Sequence, residues 1–240
     1  MSSLPRVAIA DLAEGDIVLP DTVAHKLLRV LRLSVGDSFV AFDPRKGVQA
    51  KATLHALSPA RALFESPALG LKAKRDIRLL QGVAKGDKNE SILQDATELG
   101  ASAVHFVHMQ RSVVRVPDNK REARLQRWKS VAEHAAAQSG RADVPRVLGP
   151  SSLAEALAAH QDARVLVLYE DGGAPFAAVL RDAMAAKQPV LLVVGPEGGI
   201  AAEDIEHLMR ASCTFCTLGP YVLRTETVAA AALGAAMVLA

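Results

Sequence analysis

The chain has 240 residues, half of them apolar, 22% charged and only 4% aromatic. That length admits one large domain or two modest ones, and that composition excludes wholesale disorder and leaves Ala, Val and Leu to fill the core. Two cysteines exclude a disulfide framework and point to a reducing compartment. The start of the chain shows no basic segment followed by an apolar run, so no signal peptide is expected. The stretch Val228–Ala240 is too short and alanine-rich to span a bilayer, and a cytoplasmic protein with no membrane partner is the expectation.

Formal net charge is +2, but it is unevenly placed. Residues 71–150 carry 15 basic against 9 acidic side chains, whereas residues 151–240 carry 5 against 10. A basic middle segment suits a polyanion such as nucleic acid, or is simply a solvated face.

In chain order, residues 1–70 read as a small β-barrel-like module with one helix. Ile17–Leu19, Ser38–Phe42, Val48–Leu57 and Arg61–Glu65 are strand candidates. Asp21 can cap a helix running to Arg32, with Val23, Leu27, Leu28 and Leu31 on its buried side. Pro67 and Gly70 punctuate the chain, and a second domain over 71–240 follows. There, strands at Ile77–Leu80, Val104–Val107, Val165–Tyr169, Val190–Val194 and Thr214–Leu218 alternate with helices near 87–99, 119–138, 152–160, 175–186, 202–211 and 226–239. Short unbroken apolar strands between helices predict an α/β fold with a parallel sheet covered on both faces, and ligands there sit beyond the carboxyl ends of the strands.

Four motifs carry possible chemistry. The strand Val190–Val194 breaks into Gly195-Pro196-Glu197-Gly198-Gly199, a bend whose glycines allow close backbone approach and whose Glu197 supplies a carboxylate. It lacks the spacing of a dinucleotide fingerprint and the Gly-Lys-Ser/Thr of a Walker loop. Leu218-Gly219-Pro220-Tyr221-Val222-Leu223-Arg224-Thr225-Glu226-Thr227 also follows a strand and precedes a helix, with Thr225 placed to cap it. Arg224 and Glu226 can face the same ligand as the first bend, or form an ordinary surface pair. In Lys85-Gly86-Asp87-Lys88-Asn89-Glu90, Asp87 and Glu90 read as a capping box flanked by two lysines, and Gly100 closes the helix. On the helix near 119–138, Leu125, Trp128, Ala132 and Ala135 share one face, while Lys120, Arg124, Arg127, His134 and Gln138, followed by Arg141, form a stripe that can track a phosphate backbone or is simply a solvated face. Cys213 and Cys216 lack the further ligands of a zinc site and read as buried thiols, and the scattered histidines assign no metal. No G-x-S-x-G elbow supports serine hydrolysis.

Taken together and in this order, Lys85-Gly86-Asp87-Lys88, Glu98-Leu99-Gly100, Gln138-Ser139-Gly140-Arg141, the Gly195–Gly199 bend and Leu223-Arg224-Thr225-Glu226-Thr227 resemble the ribosomal RNA small subunit methyltransferase E family of the SPOUT superfamily. Pro5-Arg6, His25, Val30-Leu31-Arg32 and Gly36-Asp37 add weaker matches. The resemblance implies a PUA-like RNA-binding β-barrel over 1–70 and a SPOUT domain over 71–240, with a trefoil knot and S-adenosylmethionine as cofactor. It also implies a homodimer that methylates N3 of one uridine of 16S ribosomal RNA in the 30S subunit. Leu168, Gly195, Pro196, Glu197, Gly198, Leu218, Gly219, Val222, Leu223 and Arg224 would hold the cofactor. Arg224, Glu197 and Arg6 are the catalytic candidates, with Glu197 or Glu226 able to take the proton. Arg32, Lys85, Lys88, Arg124, Arg127, Gln138 and Arg141 would meet RNA. Tyr221 stands where family members often carry a basic residue, and Asp43–Gly47 is a longer turn than the family's. A SPOUT enzyme for another RNA nucleotide, or a non-catalytic ribosome-assembly factor with a relic pocket, are the competing expectations.

Overall fold

A computed structural model describes residues 4–240. The chain divides into two compact units. One comprises Met1–Lys72 together with Ala136–Val144, and the other comprises Ala73–Ala135 with Pro145–Ala240.

The N-terminal unit holds β1 (Arg6–Ala8), β2 (Gly15–Val18), α1 (Asp21–His25), β3 (Ser38–Asp43), β4 (Val48–Leu57), β5 (Ala60–Phe64) and β6 (Ala68–Leu69). Their order is β1-β3-β4-β5-β2, with β6 on β4; β1 runs parallel to β3 and the other pairs are antiparallel. No ladder joins β1 to β2 among the described residues, so the strands form a mixed sheet that is open between them. Alternation along the strands puts Phe39, Ala41, Leu54, Ala62 and Phe64 into one core, where Phe39 and Phe64 meet edge to face at 6.0 Å. α1 passes at Lys26 into a π-helical turn through Val30. Val23 and Leu27 are buried, while Leu31, just past the π turn, is exposed.

The second unit contains β7 (Ile77–Gly82), α2 (Lys88–Glu98), β8 (Ala103–His108), α3 (Asp118–Ser139), β9 (Arg146–Ser152), α4 (Leu153–Ala158), β10 (Arg164–Leu168), β11 (Ala174–Pro175), α5 (Phe176–Ala185), β12 (Val190–Val194), α6 (Ala202–Arg210), β13 (Thr214–Thr217) and α7 (Thr225–Leu239). The last turn of α3 falls in the N-terminal unit. All seven strands are parallel, in the order β11-β13-β10-β12-β7-β8-β9. β7 and β12 are buried at every position: β12 is an unbroken apolar run, whereas β7 carries Arg78 and Gln81, which find polar partners within the unit. α7 packs on α2, α5, β7 and β12. Gly100, in the left-handed region at φ +85°, ends α2 as predicted. No helix of the described residues is long and apolar enough to cross a membrane.

Register fixes where the strands end together. Cys216, Leu168, Val194, Gln81 and Phe106 form one row across β13, β10, β12, β7 and β8. The segments leaving Val194 and Thr217 therefore emerge on the same side of the sheet, with the end of β10 between them.

Towards the amino ends of the strands lies a buried polar network. Arg78 donates to Asp162 at 2.6 and 2.7 Å and to Asp76 at 2.5 and 3.0 Å, and its Nη1 lies 3.3 Å from His160 Nδ1. His160 in turn meets His105 at 3.3 Å, and His105 pairs with Ser151 at 2.8 Å. Burial, then the neighbouring His160, lowers the His105 pKa to about 4; burial and then Arg78 lower that of His160. Below about pH 6.5 the unfolded chain takes up protons that the folded network refuses. Stability is therefore full above pH 6.5 and declines towards pH 4, which denaturation midpoints across that range should show. His105→Gln should flatten part of the decline.

Candidate functional site

A cavity of about 310 Å³ opens beyond the carboxyl ends of β10 and β12. It is lined by Leu168, by Gly195, Pro196 and Glu197 of the first bend, and by Val222, Leu223 and Arg224 of the second, all of them residues the sequence singles out. Leu218 and Gly219 line a smaller adjoining hollow of about 40 Å³ that shares Leu168 and Leu223. Gly198 is not part of the lining, and its carbonyl accepts a hydrogen bond of 3.2 Å from Arg111. A larger hollow of about 710 Å³ lies near Arg164 and His207, but it sits by the amino end of β10 and follows no glycine bend.

Three contacts set the shape of the bends. Gly82 ends β7 so close to the first bend that a Cβ there would come within 2.6 Å of Pro196. Gly199 has φ +75°, and a side chain on it would also meet the Glu170 carboxylate at 2.7 Å. The third contact is a hydroxyl. Thr225 Oγ1 donates to the Gly195 carbonyl at 2.6 Å and accepts from Gln81 Nε2 at 2.9 Å. Thr225 was expected to cap α7, yet Arg224 occupies the N-cap position and the buried Thr225 side chain joins the two bends to β7.

The charged groups are Lys88, Glu170, Glu197 and Arg224 on the lining, with Glu226 beside it. Lys88 Nζ lies 3.3 Å from both Glu197 Oε1 and Glu226 Oε2. The Lys85 backbone N–H also donates to Glu197 Oε1 at 3.1 Å. Burial alone would raise the Glu197 carboxyl, but hydrogen bonds from its own and the Lys85 backbone, and from Lys88, hold it below the usual carboxylate range. Burial likewise opposes the Lys88 charge, and the two carboxylates overcome it and raise its pKa. The exposed Arg224 guanidinium has no hydrogen-bond or ion-pair partner among the described residues. The site thus offers glycine backbone, apolar walls from Leu168, Val194, Leu223 and Val228, carboxylates for a cation, and one uncommitted guanidinium.

Other candidates sit elsewhere. Arg6 belongs to the N-terminal unit, where it donates to Gln49 at 2.9 Å and to the Arg141 carbonyl at 3.1 Å and lies over the Phe42 ring. Arg141 is buried and forks onto Asp143 at 2.8 and 2.9 Å. Arg127 pairs with Glu90 at 2.7 Å, and Arg124 approaches the same carboxylate at 3.7 Å. The capping box expected of Asp87 and Glu90 is absent for this reason: Asp87 makes no side-chain cap, and Glu90 turns to the arginines. Asn89 braces the segment instead, exchanging two hydrogen bonds with the Ala84 backbone at 2.7 and 2.9 Å. Arg32, in the left-handed region at φ +57°, Lys85 and Gln138 are exposed. Sequence reasoning missed Gln81, Glu170 and Val228. Glu170 had a usable signal, because it follows directly on a strand end and precedes Asp171-Gly172-Gly173.

Comparison with known proteins places these features in a family. Residues 72–237 match the model of an RNA methyltransferase domain. The chain is 33% identical over 220 residues to ribosomal RNA small subunit methyltransferase E of Bacillus subtilis, covering 88% of this chain and 85% of that protein. It is 38% identical over 170 residues to the protein of the same name from Mycobacterium bovis, covering 68% of this chain and 63% of that one. The crystal structure of ribosomal RNA small subunit methyltransferase E from Neisseria gonorrhoeae bound to S-adenosyl methionine superposes with a TM-score of 0.85, at 29% identity and 98% coverage of both chains.

The Thr225 link yields a stability test. Thr225→Val leaves a buried carbonyl and amide short of a partner and should cost about 1–3 kcal/mol in chemical denaturation. Gln81→Leu should cost a similar amount, and the double variant less than the two together, since both act on one hydrogen-bond chain.

Proposed function

Because the chain belongs to the ribosomal RNA small subunit methyltransferase E family, we propose that it methylates N3 of one uridine of 16S ribosomal RNA, using S-adenosylmethionine and acting on the 30S subunit. The observation that carries this reading is the convergence of Glu197 and Arg224, one from each bend, on one cavity beyond the strand ends. The residues fit the cofactor's chemistry. Apolar walls suit a nucleobase, glycine backbone suits close approach, and Glu170 and Glu197 suit its cationic groups. When bound, S-adenosylmethionine supplies a methyl carbon on a cationic sulfur, which is left as a neutral thioether.

The chain's own residues do the rest. Uracil N3 must lose its proton as it gains the methyl, and negative charge then spreads over the flanking carbonyl oxygens. The free guanidinium of Arg224 is the group to stabilise that charge. Arg6, engaged by Gln49 and the Arg141 carbonyl, is the lesser candidate. Glu197 or Glu226 takes the proton or instead orients Arg224. Reaching N3 requires an unpaired or flipped base.

Arg32, Lys85, Gln138 and Arg127 supply exposed groups for the RNA backbone. Arg124 is drawn towards Glu90, and Arg141, tied to Asp143, contributes by shaping the segment that follows Gln138. We take Met1–Lys72 with its companion segment as the PUA-like RNA-binding module and the larger unit as the knotted methyltransferase domain, acting as a cytoplasmic homodimer.

Incubation of unmodified 30S subunits with methyl-labelled cofactor should place one label on a 16S uridine at N3. Label on another base or another RNA would move the assignment within the superfamily, and no transfer despite cofactor binding would indicate a non-catalytic factor. In the same assay Arg224→Ala should lower turnover by about 100-fold or more while cofactor still binds. Undiminished turnover would remove Arg224 from its role.

A further inference from the structure

We infer that Lys88 is a positioning residue of the cofactor cavity, a cationic staple between the two bends that also sets the preference for a sulfonium over the neutral thioether product. This inference rests on the methyltransferase reading above.

The geometry is specific. Lys88 opens α2, and its ammonium lies 3.3 Å from a carboxylate of each bend region: Glu197 in the first, and Glu226 in the first turn of α7 after the second. Lys85 adds its backbone N–H to the same Glu197 oxygen. The two carboxylates are 24% and 25% exposed, and Lys88 is 37% exposed, so all three are partly withdrawn from solvent. Without the ammonium, two like charges would face each other at close range in a region of reduced dielectric, and the bends would be driven apart. The sequence marks Lys88 as a flanking cation for RNA. Two of the ammonium's three N–H groups are committed to these carboxylates, and the same contacts make it part of the cavity wall.

The charge balance gives a second consequence. Lys88 and Arg224 oppose Glu170, Glu197 and Glu226, leaving this group one negative charge in excess. That excess favours a ligand whose sulfur is cationic over one whose sulfur is neutral. Removing Lys88 deepens the excess, and removing the charge of Glu226 cancels it. Loosening of the bends affects both ligands alike, so the ratio of their affinities isolates the electrostatic effect from a structural one.

Calorimetry with S-adenosylmethionine and S-adenosylhomocysteine, alongside thermal unfolding, tests this on the full chain. Lys88→Met should weaken both ligands by about 5- to 30-fold. It should also raise the preference for the sulfonium by about twofold or more. Lys88→Arg should restore the wild-type preference, and Glu226→Gln should shift it in the opposite direction from Lys88→Met. Wild-type affinities in Lys88→Met, with loss of 30S binding alone, would overturn the inference and return Lys88 to RNA. An unchanged ratio in a folded Lys88→Met, or in Glu226→Gln should Lys88→Met fail to fold, would overturn it as well. Failure of the wild type to bind S-adenosylmethionine is a separate result, which would sink the cofactor reading itself.

Discussion

The Thr225 hydroxyl, buried between the Gly195 carbonyl and the Gln81 amide, is the contact on which the rest of the site depends. Gln81 belongs to β7, Gly195 leaves β12, and Thr225 opens α7, so one three-membered chain fixes both bends to the centre of the sheet. A parallel sheet brings strand ends to one side but does not dictate how the segments beyond them meet. The hydroxyl does so here, helped by the bare Cα of Gly82, which lets Pro196 approach the end of β7. Everything proposed for the cavity, from the Glu197 carboxylate to the Arg224 guanidinium, takes its position from this anchoring.

Electrostatics narrows what the basic middle segment can do. Part of its charge is spent within the units: Arg78 on Asp76 and Asp162, Arg127 on Glu90, Arg141 on Asp143, Lys88 on Glu197 and Glu226. The excess of positive charge is therefore not a free field for any polyanion. Lys72, Lys74, Lys85, Arg111, Arg115, Lys120, Lys129 and Arg146 stay exposed outside these pairs, and they carry most of the rest of the segment's positive charge.

Much of this was legible in the residues. Unbroken apolar runs such as Val190–Val194 identified the central strands, and glycine-rich bends after them identified most of the cavity lining. What escaped was non-local or too short to leave a period. β9 carries Gly149 and Pro150 inside an edge strand, and β11 has only two residues. How the edges of the N-terminal sheet lie is likewise something local alternation does not report. Leu31, just past the π turn at Lys26–Val30, is exposed where a 3.6 period would bury it. Local pattern also suggested caps for Asp87 and Thr225, whereas partners more than 25 residues away determine what Glu90 and Thr225 do. Lys88 read as a surface cation because Glu197 and Glu226 lie far along the chain, whereas the partner of Arg141, Asp143, stands only two residues on.

Hydrogen exchange with and without S-adenosylmethionine addresses the central claim, that two bends close around a single methyl donor. The account predicts slowed exchange in Gly195–Gly199 and in 218–228, together, at one cofactor per chain. Protection near Arg164 and His207 instead, or in one bend without the other, would contradict it.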